Sequence, residues 1–203
     1  MSRRRRGAVG VLLAGGRGRR MGGDKASTEL AGRPLARWAV EPLAAVCDHV
    51  VVACRLDSEL PVLPGVTEAW VEPDGPRGAV GGIASALHEA RGRPILVVGV
   101  CHPLVRPEVL EALLSADPRE RPAVAPRAGR NLVPLVARYE PAALAVLAGM
   151  PPAIDPEAAV GALRPAEVAF DGGESSFLRI DAPEDLLRAG AVLDARRRAG
   201  AAA

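Results

Sequence analysis

Short apolar runs alternate with helix-like segments over the first 115 residues, and this alternation constrains the fold more than any other feature of the chain. The runs 8–14 (AVGVLLA), 49–54 (HVVVAC) and 95–100 (ILVVGV) are almost continuously apolar, as in strands that are buried on both faces. Helices are expected around these runs, over 34–46, 83–90 and 107–115. Such an order of elements is typical of a parallel α/β sheet with right-handed crossovers.

The second part of the chain breaks this alternation, which predicts a mixed edge of the sheet and a closing helix. A weaker strand over 66–71 is followed by a stretch rich in glycine and proline, Glu72 to Gly82, which is predicted to be a loop. Beyond residue 115, strands are expected over 123–125, 132–137 and 168–170, helices over 141–148, 156–163 and 183–197, and a loop over 175–181.

We therefore predict one α/β domain over residues 8–198, with a doubly wound, mostly parallel sheet and a mixed C-terminal edge. Residues 1–7 are expected to form a disordered basic tail and residues 199–203 a frayed end.

Charge and composition argue against nucleic acid as a partner. The net charge is +2, but Arg3 to Arg6 contribute four positive charges, so the rest of the chain carries a small negative charge. Aromatic residues make up only 2% and are scattered, which leaves no stacking surface for single strands. The arginine run is interpreted as a solvated tail, with a membrane or nucleic-acid contact as the alternative.

Three cysteines without C-x-x-C spacing predict neither a disulfide framework nor a structural zinc site. The sequence contains no stretch of about 18 apolar residues, and 9–14 is too short for the core of a signal peptide. A soluble cytoplasmic protein is therefore expected. No Ser–His–Asp or Cys–His set can be argued from spacing, so hydrolase chemistry has no support.

The most informative stretch is the glycine-rich turn after the first strand, Leu13-Ala-Gly-Gly-Arg-Gly-Arg-Arg-Met-Gly-Gly-Asp-Lys25. A doubly wound sheet places its ligand crevice beyond the carboxyl ends of its strands. Glycines let the backbone approach a ligand, and successive N–H groups can surround an anion. Arg17, Arg19, Arg20 and Lys25 add four cations, so a polyphosphate is the expected ligand.

Two familiar phosphate motifs do not fit this turn. The motif G-x-x-x-x-G-K-[ST] needs a lysine directly after glycine, whereas Lys25 follows Asp24 and precedes Ala26. The dinucleotide motif G-x-G-x-x-G would place its third glycine at Met21.

The order of residues in the turn resembles the signature L-A-G-G-x-x-x-R-M-G-x-D-K of the MobA-like nucleotidyltransferases, the family of the molybdenum cofactor guanylyltransferases. Three further segments resemble the family pattern in the right order, so that the resemblance spans residues 8–190. They are 78–83 (family G-P-L-[GA]-G-I), 95–110 (family V-x-x-C-D-x-P-x-x-x-P-x-x-L) and 177–186 (family F-x-N-[IV]-[ND]-T-P-E-D-L).

This resemblance implies a Rossmann-like fold of the nucleotide-diphospho-sugar transferase type and an enzyme that transfers GMP from GTP. A phosphate oxygen of a phosphorylated small-molecule acceptor, with molybdopterin as the first candidate, would attack the α-phosphorus and displace pyrophosphate. The implied pathway is molybdenum cofactor biosynthesis, in which a protein partner could receive the cofactor. Neither nucleic acid nor a membrane is implied.

The resemblance also implies roles for individual residues. Arg20 and Lys25 would contact the phosphates as catalytic cations. Mg²⁺, or Mn²⁺ in its place, would bridge phosphate oxygens, with Asp181 and Cys101 at the family's metal-binding positions. The implied nucleotide-binding positions are Leu13, Ala14, Gly15, Gly16, Gly18 and Gly22 in the first loop, and Gly78, Gly81 and Gly82 near the base.

The chain departs from the family pattern at the expected metal site. Cys101 stands where the family has a metal-binding Asp, and Arg179 where it has Asn. Mg²⁺ prefers hard oxygen ligands, so a thiol is a poor substitute. Three interpretations stay open: an active enzyme whose metal is held by Asp181, Asp74 and phosphates, a site that binds nucleotide without catalysis, or a softer metal on Cys101 and His102.

Two further positions stay open at this stage. Asp181 could cap the helix that begins at Pro183 rather than bind a metal. The acidic residue that precedes the G-P-L-like segment could be Glu72 or Asp74.

Two functional alternatives accompany the guanylyltransferase hypothesis. One is a catalytically impaired nucleotide-binding paralogue that acts through a partner protein, because Cys101 replaces the metal-binding Asp. The other is a relative with another substrate, transferring a cytidylyl group or using a sugar phosphate or a phospholactate as acceptor.

Overall fold

The computed structural model of the chain describes residues 7–16, 18–23, 25–72, 78–170 and 174–201. The basic run Arg3–Arg6 and three residues named above, Arg17, Asp24 and Asp74, lie outside these ranges.

The elements of the first half follow the predicted alternation closely. They are β1 (Val9–Leu13), a 3-10 turn (Arg19–Met21), β2 (Glu29–Leu30), β3 (Arg33–Pro34), α1 (Leu35–Val46), β4 (Val50–Cys54), β5 (Glu68–Val71), α2 (Gly78–Glu89), β6 (Ile95–Gly99) and α3 (Pro107–Ser115). The second half adds β7 (Ala123–Ala128), β8 (Asn131–Leu132), β9 (Val136–Tyr139), α4 (Ala143–Leu147), α5 (Pro156–Ala162), β10 (Ala166–Ala169), a second 3-10 turn (Glu174–Phe177) and α6 (Pro183–Ala201).

The main sheet has the strand order β10-β7-β9-β6-β1-β4-β5, with β8 paired on β7. β1 pairs in parallel with both β4 and β6, and β4 pairs in parallel with β5. β9 runs antiparallel to β6 and β7, whereas β10 is parallel to β7. The mostly parallel sheet with a mixed C-terminal edge is thereby confirmed.

Helices cover both faces of this sheet, as a doubly wound fold requires. Along β1, Leu12 belongs to the apolar cluster shared with α1, α3 and α6, while Val11 belongs to the cluster shared with α2, α4 and α5. Leu35 of α1 and Ile83 of α2 are buried on the two opposite sides. The apolar side chains of β1 are therefore buried on both faces of the sheet, which explains why its apolar run is continuous.

The predicted loop over Glu72 to Gly82 is wrong in its second half, because α2 begins at Gly78 and not at Ile83. Glycine has a low helix propensity, so the sequence pattern favours a loop there. Packing overrides this preference: Val80 is buried, and Gly82 lies where a side chain would collide with Glu72. Gly78, Gly81 and Gly82 therefore lie in the first turns of a helix that approaches the sheet closely.

The single strand predicted over 132–137 is divided in the structure. Asn131–Leu132 forms a hairpin with β7, whereas Val136–Tyr139 pairs with β6 and β7. Pro134 lies between the two strands and has no N–H for a continuous ladder. The closing helix α6 also runs to Ala201, past its predicted end at residue 197, so residues 199–201 are helical where a frayed end was expected.

The buried side chain of Arg138, on β9, caps the C-terminal end of α3. Its Nη1 donates to the carbonyl oxygens of Leu113, Leu114 and Ala116 at 2.9–3.2 Å. Its Nε donates to Glu140 Oε1 at 2.6 Å, so the buried charge has a partner. These bonds satisfy carbonyl groups that the end of a helix otherwise leaves unpaired.

The parallel block brings the carboxyl ends of β1, β4, β5 and β6 to one edge of the sheet. Ligands of open α/β sheets bind in the crevice beyond this edge. Among the described residues, no helix has the length and apolar character that crossing a membrane requires.

Candidate active site

The site lies where the segments that follow β1, β4, β5 and β6 meet. Ala14 N–H donates to Ala53 O at 2.8 Å, and Glu72 N–H donates to Cys54 O at 2.8 Å. On the other side, Val100 N–H donates to Leu13 O at 3.1 Å. These bonds hold the start of the glycine-rich turn between the end of β4 and the end of β6, and they fix Glu72 to the end of β4.

The glycine-rich turn folds back on itself at Gly18. This residue has a φ of +55°, and a Cβ added to it would lie 2.0 Å from Gly23 O and 2.9 Å from Lys25 N. Met21 N–H donates to Gly18 O at 2.7 Å and closes the 3-10 turn. Only glycine fits such a position, so this residue is required by the shape of the loop.

The other predicted loop positions surround open space. A Cβ built at Gly16 or at Gly22 meets no atom within 4 Å, and Gly22 has a φ of +77°. Leu13 is half-buried and Ala14 is buried, while Arg20 is exposed on the 3-10 turn. The backbone of this loop is therefore accessible to a ligand, and Arg20 remains a predicted phosphate contact.

Lys25 is anchored to the far end of the chain. Its Nζ donates to Ile180 O and to Asp181 Oδ1, both at 2.8 Å. Arg179 Nε contacts the second oxygen, Asp181 Oδ2, at 2.6 Å. One carboxylate is thus shared by two cations, which leaves one unit of positive charge in excess beside the glycine-rich turn.

The composition marks Lys25 as a position where the residue type matters, because it is the only lysine in a chain that has 25 arginines. Lysine is a compact point charge, whereas arginine is a wide planar fork. The Lys25 side chain is only 15% exposed, and its amino group donates to two acceptors, Ile180 O and Asp181 Oδ1. A chain that uses arginine everywhere else has lysine at this one position.

The segment that carries Asp181 is fixed to the end of β6. Ile180 is fully buried, and its N–H donates to Cys101 O at 2.8 Å. The sequence left open whether Asp181 caps α6, and the structure gives this role to Asp185 instead. Asp185 Oδ2 accepts from Asp181 N–H at 2.9 Å and Ala182 N–H at 3.0 Å, and these bonds lower the pKa of Asp185.

Cys101 and His102 are both buried directly behind this ion cluster. Burial raises the pKa of the Cys101 thiol, and the charges of Arg179 and Lys25 only oppose that effect. Burial and the charge of Arg179 lower the pKa of His102 to about 4, so its ring is neutral at pH 7. His102 Nδ1 has no hydrogen-bond partner among the described residues.

The described residues do not fit the Mg²⁺ that the family pattern implies. A buried neutral thiol offers sulfur where Mg²⁺ prefers oxygen, and both oxygens of Asp181 already contact cations. Within the described ranges, no group of three or more His, Cys, Asp or Glu side chains could hold a metal ion. The softer-metal interpretation of Cys101 and His102 therefore lacks a third ligand within these ranges.

Glu72 occupies the other flank of the glycine-rich turn. A Cβ added to Gly15 would lie 2.7 Å from Glu72 Oε1, and one added to Gly82 would lie 2.8 Å from the same atom. The carboxylate therefore lies between the phosphate-type loop and the first turns of α2. Burial raises the pKa of Glu72, and the charge of Arg55 opposes this shift. Of the two acidic candidates, Glu72 faces the site, while Asp74 is not described.

An open cavity of about 590 Å³ adjoins Glu72 between α2 and the segment around Pro152. Gly81, Trp70 and Pro152 contribute to its wall, and a Cβ added to Gly78 would lie 3.1 Å from Pro152 O. The structure thus divides the predicted site residues between two regions. Lys25, Asp181 and Cys101 lie in the charged region, Gly81 and Gly82 lie on the side of Glu72, and Gly78 lies against Pro152.

Comparison with known proteins gives a consistent result. The sequence model of the MobA-like NTP transferase domain matches residues 10–164. A probable molybdenum cofactor guanylyltransferase of Natronomonas pharaonis is 34% identical over 206 residues, covering 89% of this chain and 96% of that protein. The molybdenum cofactor guanylyltransferase of Cereibacter sphaeroides is 34% identical over 193 residues, covering 91% and 96%.

A solved structure shows the same arrangement of elements. The crystal structure of molybdopterin-guanine dinucleotide biosynthesis protein A from Archaeoglobus fulgidus matches with a TM-score of 0.71 and 25% identity. The match covers 92% of this chain and 98% of that one. The predicted fold type is thereby confirmed.

Proposed function

The chain belongs to the MobA-like NTP transferases, and on that premise we propose that it transfers GMP from GTP to the phosphate of molybdopterin and releases pyrophosphate. The observation that carries this proposal is the pairing of Lys25 with Asp181 beside the glycine-rich turn. It fixes a cation where the phosphates of a nucleotide would lie over the end of β1.

The transfer needs no protein nucleophile. An oxygen of the acceptor phosphate forms a bond to the α-phosphorus of GTP, and the bond from that phosphorus to the oxygen bridging to the β-phosphate breaks. Lys25, with Arg20 on the 3-10 turn, offsets the charge that develops on the leaving pyrophosphate. The backbone of the glycine-rich turn positions the triphosphate so that the attack is in line.

Glu72 is the residue that we assign to recognition of the base. Guanine presents two neighbouring N–H donors, on N1 and on the exocyclic N2, whereas adenine has an acceptor at N1. A carboxylate has two acceptor oxygens and can bind both guanine donors at once. Its Oε1 lies against the bare backbone of Gly15 and Gly82, which places the carboxylate beside the glycine-rich turn and the first turns of α2.

The alternatives are not favoured. The two relatives described above are named guanylyltransferases, and this chain covers 96% of each. Transfer of a cytidylyl group, use of a sugar phosphate or phospholactate, and a paralogue without catalysis have no comparable support. The Mg²⁺ or Mn²⁺ implied by the resemblance takes no part in this proposal, because the described residues offer it no set of oxygen ligands.

We place this activity in the cytoplasm, where the three cysteines are ordinary buried thiols. A protein partner that receives the finished cofactor stays a prediction.

A calorimetric screen with GTP, CTP, ATP and UTP tests the choice of nucleotide. Each is titrated with Mg²⁺ and with chelator. We expect GTP to bind at least about tenfold more tightly than the others. Equal affinity for all four would contradict the assignment of Glu72.

Chemical labelling tests the position of Lys25, since the chain has no other lysine. Pyridoxal 5′-phosphate carries a phosphate and an aldehyde. The aldehyde condenses with an amine to give an imine and water, and borohydride reduces the imine to a stable secondary amine. We expect the label on the peptide that contains Lys25, and protection by GTP. The N-terminal amine is the internal control, because its labelling should not respond to GTP.

A further inference from the structure

The site carries its own positive charge where a divalent cation would be expected. Lys25 and Arg179 both contact Asp181, so the cluster has a net charge of one positive unit. Relative to the family pattern, Cys101 removes a carboxylate and Arg179 adds a guanidinium. Each replacement adds one positive unit, and together they equal the charge of one divalent cation.

We propose that this chain binds the phosphates of its nucleotide without a divalent cation, with Arg179 supplying the charge in its place. The inference rests on the proposed function in taking a nucleoside triphosphate as the ligand. It assigns a binding role to a residue that the sequence pattern marks only as a departure.

The geometry of Arg179 suits this role. Its Nε is oriented by Asp181 at 2.6 Å, and the side chain is 54% exposed. A guanidinium has five N–H donors and matches a phosphate with two parallel hydrogen bonds. One edge of the group is therefore held by Asp181, and the exposed remainder can face the phosphates.

The position that an aspartate holds in the family pattern is occupied by the buried Cys101. Its side chain is a thiol in place of a carboxylate, so it supplies no carboxylate charge that would repel a phosphate. Asp181 then serves to position two cations, since both of its oxygens are engaged with Lys25 and Arg179.

Binding of inorganic tripolyphosphate tests this inference directly. This probe has no base, so the result does not depend on whether the chain prefers GTP. We expect the wild type to bind it in chelator at least as tightly as with Mg²⁺. Arg179→Gln should weaken binding in chelator by about tenfold or more.

Arg197→Gln is the matched control. Arg197 is also an exposed arginine paired with an aspartate, Asp194, but on α6 at 3.6 Å. We expect its affinity to stay within about twofold of wild type. The double variant Cys101→Asp with Arg179→Asn should bind tripolyphosphate only with Mg²⁺.

Three results would overturn the inference: wild-type binding at least about tenfold tighter with Mg²⁺ than in chelator, no binding in either condition, or equal effects of Arg179→Gln and Arg197→Gln. If the double variant fails to fold, the comparison of Arg179→Gln with Arg197→Gln decides. Failure of the proposed function would give a different result. The wild type would bind tripolyphosphate tightly but would show no preference for GTP over the other three nucleotides.

Discussion

Lys25 and Asp181 are 156 residues apart in the chain, yet Lys25 Nζ lies 2.8 Å from Asp181 Oδ1. The contact joins the turn after the first strand to the segment before the last helix. It fixes the cation beside the loop and ties the C-terminal segment to the site.

Lys25→Ala should weaken GTP binding by about 10- to 100-fold, because a charge-assisted hydrogen bond contributes about 1.5–3 kcal/mol. Lys25→Arg should restore little of this affinity, since the planar guanidinium does not fit the space between Ile180 O and Asp181. Titration calorimetry measures both variants. An affinity of Lys25→Ala equal to that of wild type would remove Lys25 from the binding site.

Glu72→Gln should lower the preference for GTP over ATP, because the amide presents one acceptor and one donor to the base. The same substitution should not reduce the stability of the fold. Burial raises the folded pKa of Glu72 above its unfolded value, so the free energy of unfolding falls as pH rises through that range. The neutral variant should therefore be no less stable than wild type at pH 7, which thermal unfolding checks.

The ratio of GTP to ATP affinity should depend on pH. As pH falls through the raised pKa of Glu72, the carboxylate gains a proton and loses an acceptor, so the ratio should fall. The change should begin at a higher pH than an ordinary glutamate would give. Titration of the γ-phosphate is common to both nucleotides and cancels in the ratio. Glu72→Gln should show a flat ratio, and a slope that persists in this variant would point to another group.

Gly82→Ala should reduce GTP affinity. Its new Cβ would lie 2.8 Å from Glu72 Oε1, so the carboxylate must move away from the position in which we assign it to the base. Gly190→Ala on α6 is the matched control, because an added Cβ meets no atom within 4 Å there. That change should stabilise the helix by about 0.5–1 kcal/mol and leave binding unchanged. Titration calorimetry compares GTP binding by the two variants, and equal affinities would show that the position of the Glu72 carboxylate does not matter for binding.

Arg138→Met should reduce the free energy of unfolding by about 1–3 kcal/mol, because it removes the partner of the half-buried Glu140 and the donor that three carbonyls share at the end of α3. Arg127→Met removes a similar ion pair with Glu167, also at 2.6 Å, from the surface. Its effect should be much smaller, since water solvates both groups there. Urea unfolding of the two variants should separate them clearly.

The sequence pattern predicts the central strands well because their apolar runs report burial on both faces. It fails at α2, where Gly78 to Gly82 favours a loop and packing against Glu72 decides for a helix. It also cannot distinguish metal binding from helix capping at Asp181, because both require only a carboxylate near Pro183. The partners of Asp181 depend on tertiary contacts with Lys25, which no local pattern contains.

The most direct test of the account is transfer of labelled GMP from GTP to molybdopterin by the purified protein, followed as pyrophosphate release. The assay is run with Mg²⁺ and with chelator, using wild type and Lys25→Ala. We expect a guanylylated product and stoichiometric pyrophosphate with wild type, and a large loss of both with Lys25→Ala. Absence of product from GTP under both conditions, or equal turnover by Lys25→Ala, would contradict it.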